Sequence, residues 1–268
     1  MTKSIDVYNA MAEGYLHGKT TALFRTVQSA PIRKFLAQAR GTGEDRWYSE
    51  MSYLIVGPGP EGNVEEWISQ TTLKDSYLDE INPQNITFLD NSPVALELCR
   101  RYIREQVQKR HGHPRCGNFV LGSGEDMSES TQLGKFDVVV AALCDHMNIE
   151  RFFEEAWKVL KVDGVLITSF PADGINRVVR EQLYQIPASH TRFNIGGVPH
   201  LVPSRLVTSD GLKLLYRQYG FEDEDAINSS AEGIPATETI IKAAIIAGID
   251  PQTVPLVVVG FGRKSGRK

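Results

Sequence analysis

Apolar and polar positions along the chain follow two rhythms. Tyr8, Met11, Tyr15 and Leu16 recur at helical spacing, which predicts helix over residues 5–40. Gly41-Thr42-Gly43-Glu44-Asp45 then reads as a surface loop. Beyond it, short apolar runs alternate with amphipathic stretches. The pattern predicts strands near 52–56, 86–90, 117–121, 136–142 and 163–170, with helices near 61–80, 92–110, 126–132 and 148–160. Such alternation implies right-handed crossovers and a mostly parallel sheet covered on both faces. Phe136-Asp137-Val138-Val139-Val140-Ala141-Ala142 is nearly continuously apolar, as a buried central strand would be. After Phe170 the rhythm breaks. Residues 171–206 contain Pro171, Pro187, Gly196, Gly197, Pro199 and Pro203, and read as a long functional insertion. Regular patterning resumes with cap chemistry at Thr208-Ser209-Asp210-Gly211 ahead of an apolar helix. A strand at 221–227, a helix at 236–247 and a last strand at 255–261 follow.

The first strand runs directly into glycine: Tyr53-Leu54-Ile55-Val56-Gly57-Pro58-Gly59-Pro60-Glu61-Gly62. Glycine at 57 and 59 permits a sharp turn and close ligand approach. The N–H groups opening a following helix would point at whatever is bound there. The second strand ends in Asp90, whose carboxylate can accept two hydroxyl hydrogen bonds from a ribose. Asp90 capping the helix that begins near Pro93 is the structural alternative. Together the turn and the acid read as a nucleoside-type cofactor site.

Composition narrows the setting. The 268 residues allow one large α/β domain with insertions, or a domain plus a small lid, and the 41% hydrophobic content supplies an ordinary core. A net charge of −4 gives no broadly basic surface, so no nucleic acid is expected as partner. Cys99, Cys116 and Cys144 have neither metal-ligand spacing nor an even count, which fits a reducing compartment and implies no metal. No leader and no run near the ~20 apolar residues of a membrane helix is visible. The expectation is a cytoplasmic protein.

In register, these segments resemble the class I S-adenosylmethionine-dependent methyltransferases of small-molecule type, over roughly residues 50–170 and 208–264. Gly57 to Gly62 stands at that family's glycine-rich motif. Leu89-Asp90-Asn91-Ser92-Pro93 stands at its ribose-binding acid, and Leu121-Gly122-Ser123-Gly124-Glu125-Asp126-Met127 at its adenine loop. Ala156 to Leu166 is similar to the passage into the fifth strand. Tyr8 to Tyr15 is similar to a paired-tyrosine entry helix. Three departures are visible. Ile55 stands where an acid is common, the glycines are spaced G-x-G-x-x-G, and Ser123 replaces a frequent acid for which Glu125 or Asp126 would substitute.

The resemblance implies a doubly wound seven-stranded α/β sheet, Rossmann-like, with an antiparallel last strand. Residues 1–45 would form a helical lid and 46–268 the catalytic domain, with 171–206 covering the substrate. It implies S-adenosyl-L-methionine as cofactor and S-adenosyl-L-homocysteine as product. Gly57, Pro58, Gly59, Asp90, Asn91, Ser123, Gly124, Glu125, Leu143 and Tyr15 would line the cofactor. Asp145 and His146, after the fourth strand, are the candidates to position or deprotonate a small-molecule acceptor. The alternative places His146 under the next helix, with Asp145 as its cap. His17, His190, His200 and Asp173 are weaker candidates, and Glu222 to Asp225 reads as a solvated edge. Oxygen, nitrogen and carbon acceptors stay open, as does a homodimer. Two rivals remain. One is a protein that keeps the fold as a binding or partner subunit. The other is an NAD(P)-dependent oxidoreductase, since Gly57-x-Gly59-x-x-Gly62 also matches the dinucleotide fingerprint; there the acid is expected about twenty residues on, not about thirty.

Overall fold

The computed structural model of the chain describes residues 9–10, 12, 23–24, 27–28, 31–32, 51–59, 83–111, 117–143, 145–232 and 234–266. In chain order these form β1 (Tyr53–Val56), β2 (Ile86–Asp90), α1 (Pro93–His111), β3 (Asn118–Leu121), β4 (Phe136–Ala142), α2 (Ile149–Val159) and β5 (Leu160–Pro171). There follow α3 (Ile175–Val178), β6 (His190–Ile195), β7 (Val198–Pro203), α4 (Ser209–Gln218), β8 (Phe221–Ser230), α5 (Glu238–Ala247) and β9 (Pro255–Lys264).

Seven strands make one sheet in the order β3-β2-β1-β4-β5-β9-β8. The β1–β5 pairings are parallel, and β9 runs antiparallel to both β5 and β8. This is the expected doubly wound sheet with its antiparallel last strand. The continuous apolar runs follow from burial on both faces. Tyr53, Ile55, Val138, Val140 and Ile167 face a core layer closed by Leu96, Cys99 and Ile103 of α1 and Ile240 and Ala243 of α5. Their alternates Leu54, Val56, Val139, Ala141 and Leu166 face Phe152, Phe153 and Ala156 of α2 and Leu212 and Tyr216 of α4. Leu23, Phe24, Val27 and Ile32, from the expected N-terminal helical segment, join the first layer.

Three local expectations are corrected. The helix expected over 126–132 is a three-residue 3-10 turn, Met127–Glu129, because the backbone N–H groups of Glu129 and Ser130 bond three residues back. The fifth strand begins at Leu160, directly after α2, rather than at 163. The insertion is also more regular than its proline content implied. Its α3 continues as a wider π turn, Val179–Leu183, and β6 pairs antiparallel with β7 across Gly196-Gly197. Both of those glycines have positive φ, 57° and 82°, which suits a two-residue hairpin turn. Ala172 bridges to Val207, so the insertion leaves and rejoins the sheet at one place. The helix expected over 61–80 and Gly62 lie outside the described residues.

On the outer layer the Tyr216 ring lies flat against β9. A Cβ at Gly260 would fall 2.6 Å from Tyr216 Cε2 and 2.7 Å from Leu212 Cδ2, so glycine here makes room for the ring. The Tyr216 hydroxyl is paired with Thr168 Oγ1 at 3.0 Å, and burial raises its pKa. Gly260→Ala is expected to destabilise the fold by about 1–3 kcal/mol through overpacking, read from denaturant midpoints at unchanged slope.

Candidate active site

β1 sits between β2 and β4, and the chain leaves it in one direction for β2 and β3 before returning on the other side for β4. The crevice at the carboxyl ends of β1 and β4 is therefore the topological switch point, where an open α/β sheet binds its ligand. The turn after β1 and the loop after β4 border it.

Gly57 and Gly59 take φ of 60° and 65°, a region that costs other residues roughly 1–2 kcal/mol. A Cβ at Gly59 would meet nothing within 4 Å among the described residues, so the backbone angle is what requires glycine here. The Gly57 N–H donates to Leu89 O at 2.8 Å, and the Gly59 N–H points at Asp90 Oδ2 at 3.4 Å. The turn and the acid, thirty-one positions apart, thus meet at one point. Asp90 is buried, and Oδ1 accepts the Ser92 N–H at 2.8 Å. Burial pushes its pKa above the usual carboxylate value; the N–H groups of Ser92, Gly59 and Asn91 offset this in part. Asp90 does not cap α1. Ser92 does, its Oγ accepting the Ala95 N–H at 3.0 Å while donating to Asn9 Oδ1 at 2.6 Å. Asn91 is exposed beside it. Ile55 points into the core, 4% exposed, so the position where an acid is common offers no polar group here.

The loop after β3 is committed elsewhere. Ser123 Oγ accepts the Glu125 N–H at 3.1 Å. Glu125 Oε1 accepts the Asn148 N–H at 2.9 Å, and Asp126 pairs with Arg151. Both carboxylates therefore hold the start of α2. A Cβ at Gly124 would lie 2.8 Å from Met147 Sδ and from Val56 Cγ1, so this glycine serves close packing. The backbone of the loop follows β3, beside the carboxyl end of β2.

Leu143 has φ 54°, an unusual angle for a side-chain-bearing residue, and its N–H is held by Ser169 O at 3.1 Å and Ser169 Oγ at 2.9 Å. Ser169 Oγ in turn donates to the buried Gln28 Oε1 at 2.5 Å, tying the N-terminal segment to the ends of β4 and β5.

Asp145 and His146 adopt neither arrangement expected for a purely structural role. Asn148, not Asp145, caps α2 by accepting the Arg151 N–H. Asp145 is buried against the insertion: Ser204 Oγ donates to its Oδ2, and the Arg180 guanidinium lies 3.9 Å away. Arg180, also buried, donates to Ala188 O at 2.6 Å, Ser204 O at 3.0 Å and Ser204 Oγ at 2.7 Å. His146 faces the hairpin, with Nδ1 3.1 Å from Pro203 O and its ring edge-on to Phe193. The two residues border a cleft of about 460 Å³, with Met147, Arg177, Ser204 and Arg205 among the others lining it. Asp173 is occupied by a bidentate pairing with Arg177, which lowers its pKa. His190 Nδ1 pairs with Ser189 Oγ, whereas Glu224 and Asp225 pair with Arg217 and Lys213 as edge charges do. Tyr15 and His17 lie outside the described residues. No metal-binding group of three or more acidic, His or Cys side chains occurs among the described residues.

A family model described as "Methyltransferase domain" matches residues 69–168. Over those residues the chain is similar to a methyltransferase domain. The curated "Methyltransferase OMS1, mitochondrial" of Saccharomyces cerevisiae is 29% identical over 121 residues, covering 40% of this chain and 25% of that protein. The chain thus spans about a quarter of that relative's length. Among solved structures, one chain from the complex of the Haloferax volcanii Trm112 methyltransferase activator superimposes with a TM-score of 0.59. It is 14% identical, over 98% of this chain and 96% of that one. The DhpI-SAM-HEP complex superimposes with a TM-score of 0.52 at 15% identity, over 97% of this chain and 95% of that one. The domain therefore has the fold of the S-adenosylmethionine-dependent methyltransferases, as the motif order implied.

Sequence reading missed Asn9, Gln28, Arg180 and Ser204. Asn9 and Gln28 lie in a segment recognisable as helix, but their partners are 83 and 141 positions away. Removing the Asp90 charge tests its role. Between its ordinary and its raised pKa the folded state binds the proton more readily, so Asp90 subtracts stability when ionised and restores it as pH falls. Asp90→Asn is expected to keep or raise the thermal midpoint at neutral pH while weakening S-adenosylhomocysteine binding about tenfold or more, measured by calorimetry.

Proposed function

We propose that this chain transfers a methyl group from S-adenosylmethionine to a small-molecule acceptor. The observation that carries the reading is the meeting of the Gly57–Gly59 turn with the buried Asp90 carboxylate at the switch point. The residues fit the cofactor chemically. The Asp90 carboxylate accepts the backbone N–H groups of Ser92, Gly59 and Asn91, and with about four lone-pair directions it keeps capacity for a ribose hydroxyl. Gly57 and Gly59 bring main chain, without side-chain bulk, to the place where the amino-acid end would lie, with Pro58 buried between them. The backbone of Ser123, Gly124 and Glu125 would meet the adenine, because the carboxylates of the loop are already bonded. Leu143 would line the floor near the methyl group, and Tyr15 the entrance.

The sulfonium supplies an activated methyl, so the protein's task is placement of a nucleophile in line with the S–C bond. Held by Asp90 and the Gly57–Gly59 turn, S-adenosylmethionine would supply the methyl group and depart as S-adenosylhomocysteine. Where the nucleophile must lose a proton, His146 at the cleft wall is the group to receive it. Asp145 acts through others, holding the loop of His146 against Ser204 and Arg180. The helical segment over 1–45 and the insertion over 171–206 would cover the substrates. A cytoplasmic setting suits the reading; no helix among the described residues is long and apolar enough to cross a membrane.

A second reading, a partner subunit that keeps the fold, draws on the exposed Ile241, Ile245, Ile246 and Ile249 at and just beyond α5, and on the complex formed by the Haloferax volcanii neighbour. Calorimetric titration with S-adenosylmethionine, S-adenosylhomocysteine, NAD and NADP separates the readings. The catalytic one expects micromolar binding of the first two and none of the nicotinamides. Silence for all four would favour the partner role, and nicotinamide binding alone would return the glycine turn to dinucleotide chemistry. With cofactor binding established, His146→Ala is expected to slow transfer about tenfold or more for an acceptor that must be deprotonated, at unchanged cofactor affinity, measured by steady-state kinetics.

A further inference from the structure

We propose that the cleft beneath the hairpin is an acceptor subsite for a small carboxylic acid, and that Arg205 is the residue that docks its carboxylate. The inference rests on the methyltransferase reading and adds the chemical class of the acceptor. Two arginines reach the cleft, Arg177 and Arg205, and their surroundings distinguish them. Arg177 has its Nε and Nη2 edge closed by both oxygens of Asp173, each at 2.9 Å, and Nη1 lies 3.5 Å from Glu181. Its fork is filled and its charge compensated twice. Arg205 makes one side-chain bond among the described residues, Nη1 to Glu150 Oε1 at 2.5 Å. Its Nε–Nη2 edge remains, with the geometry that matches a carboxylate through two parallel N–H···O bonds.

The backbone of Arg205 is fixed even though its side chain is half exposed. Its N–H donates to Asp145 O at 3.0 Å, which pins the start of the side chain to the β4 loop beside His146. The one acid lining the cleft, Asp145, does not oppose an anion at full strength. Its Oδ2 is taken by Ser204 Oγ–H, with the buried Arg180 guanidinium 3.9 Å behind it. Glu150 does not compete strongly either, because its ion pair with Arg205 is solvent-exposed and such pairs hold weakly. Met147, Ala188, Pro203 and Leu206 contribute an apolar part of the wall, beside His146, Ser189 and Ser204, that suits a short hydrocarbon or aromatic body.

The experiment uses the full chain saturated with S-adenosylhomocysteine and saturation-transfer NMR titration. The probes are benzoate, 4-hydroxybenzoate and hexanoate, each against its primary amide and the corresponding primary amine. Acids are expected to bind about tenfold or more tightly than their amides, and amines weakest. Arg205→Gln should remove the preference for the acid. Arg205→Lys, which keeps charge but not the fork, should lose most of it, and Arg177→Gln should leave it within about threefold. Both substituted side chains, Arg177 and Arg205, are about half exposed, so folding is retained, as the thermal midpoint checks. Equal binding of acids and amides, no binding of any acid, or a preference that survives in Arg205→Gln would overturn the assignment. If S-adenosylhomocysteine does not bind, the cofactor reading fails. The acid-over-amide preference, titrated on the protein alone, then decides the cleft assignment separately.

Discussion

The burial of β1 between two parallel neighbours governs the rest of the molecule. A strand packed on both faces and paired on both edges can offer chemistry at its carboxyl end alone. The chain therefore stations its special backbone geometry there: two glycines at positive φ, and Leu143 at positive φ on the adjacent loop. Asp90 belongs to the same constraint. Its carboxylate is carried to the rim by a strand whose preceding residues are all buried, and it is stabilised there by backbone N–H groups rather than by a cation.

How much of this the sequence disclosed depended on the distance over which each feature is determined. The parallel strands were legible because their apolar runs reflect two-sided burial, a local record of a global fact. The sharp turn at Gly57 and the end of β2 at Asp90 were legible because each is set by its immediate neighbours in sequence. The hairpin was obscured by Pro199 and Pro203 within β7, although Gly196-Gly197 carried the turn signal. A two-stranded ribbon apart from the main sheet has edges on which proline is tolerated. Glu125 illustrates a different limit. Its type and position matched an adenine-reading acid, yet α2 begins close enough for the Asn148 N–H to bond its carboxylate and for Arg151 to bond its backbone carbonyl. No local pattern distinguishes a carboxylate facing a crevice from one facing a helix end.

The Arg180, Ser204 and Asp145 cluster ties the insertion to the loop after β4. Hydrogen bonds within it span 24 and 59 positions. They replace the apolar packing that a two-stranded ribbon could not supply unaided. A buried guanidinium sharing its donors among carbonyls, a hydroxyl and a nearby carboxylate specifies one placement of the loop. Breaking it would leave charge uncompensated.

The position of β9 has a consequence for how the chain reaches this state. β9 is the last strand in sequence order, yet it is wedged between β5 and β8. Until it arrives, β5 presents an open edge of unpaired N–H and C=O groups, and β8 has nowhere to attach. The half-built sheet is thus vulnerable to pairing with a neighbouring molecule during the interval before closure. The flat seating of Tyr216 against Gly260 can form only when that interval ends. The same ring that fills the outer layer is therefore a late marker of assembly, and its environment reports when the sheet has become complete.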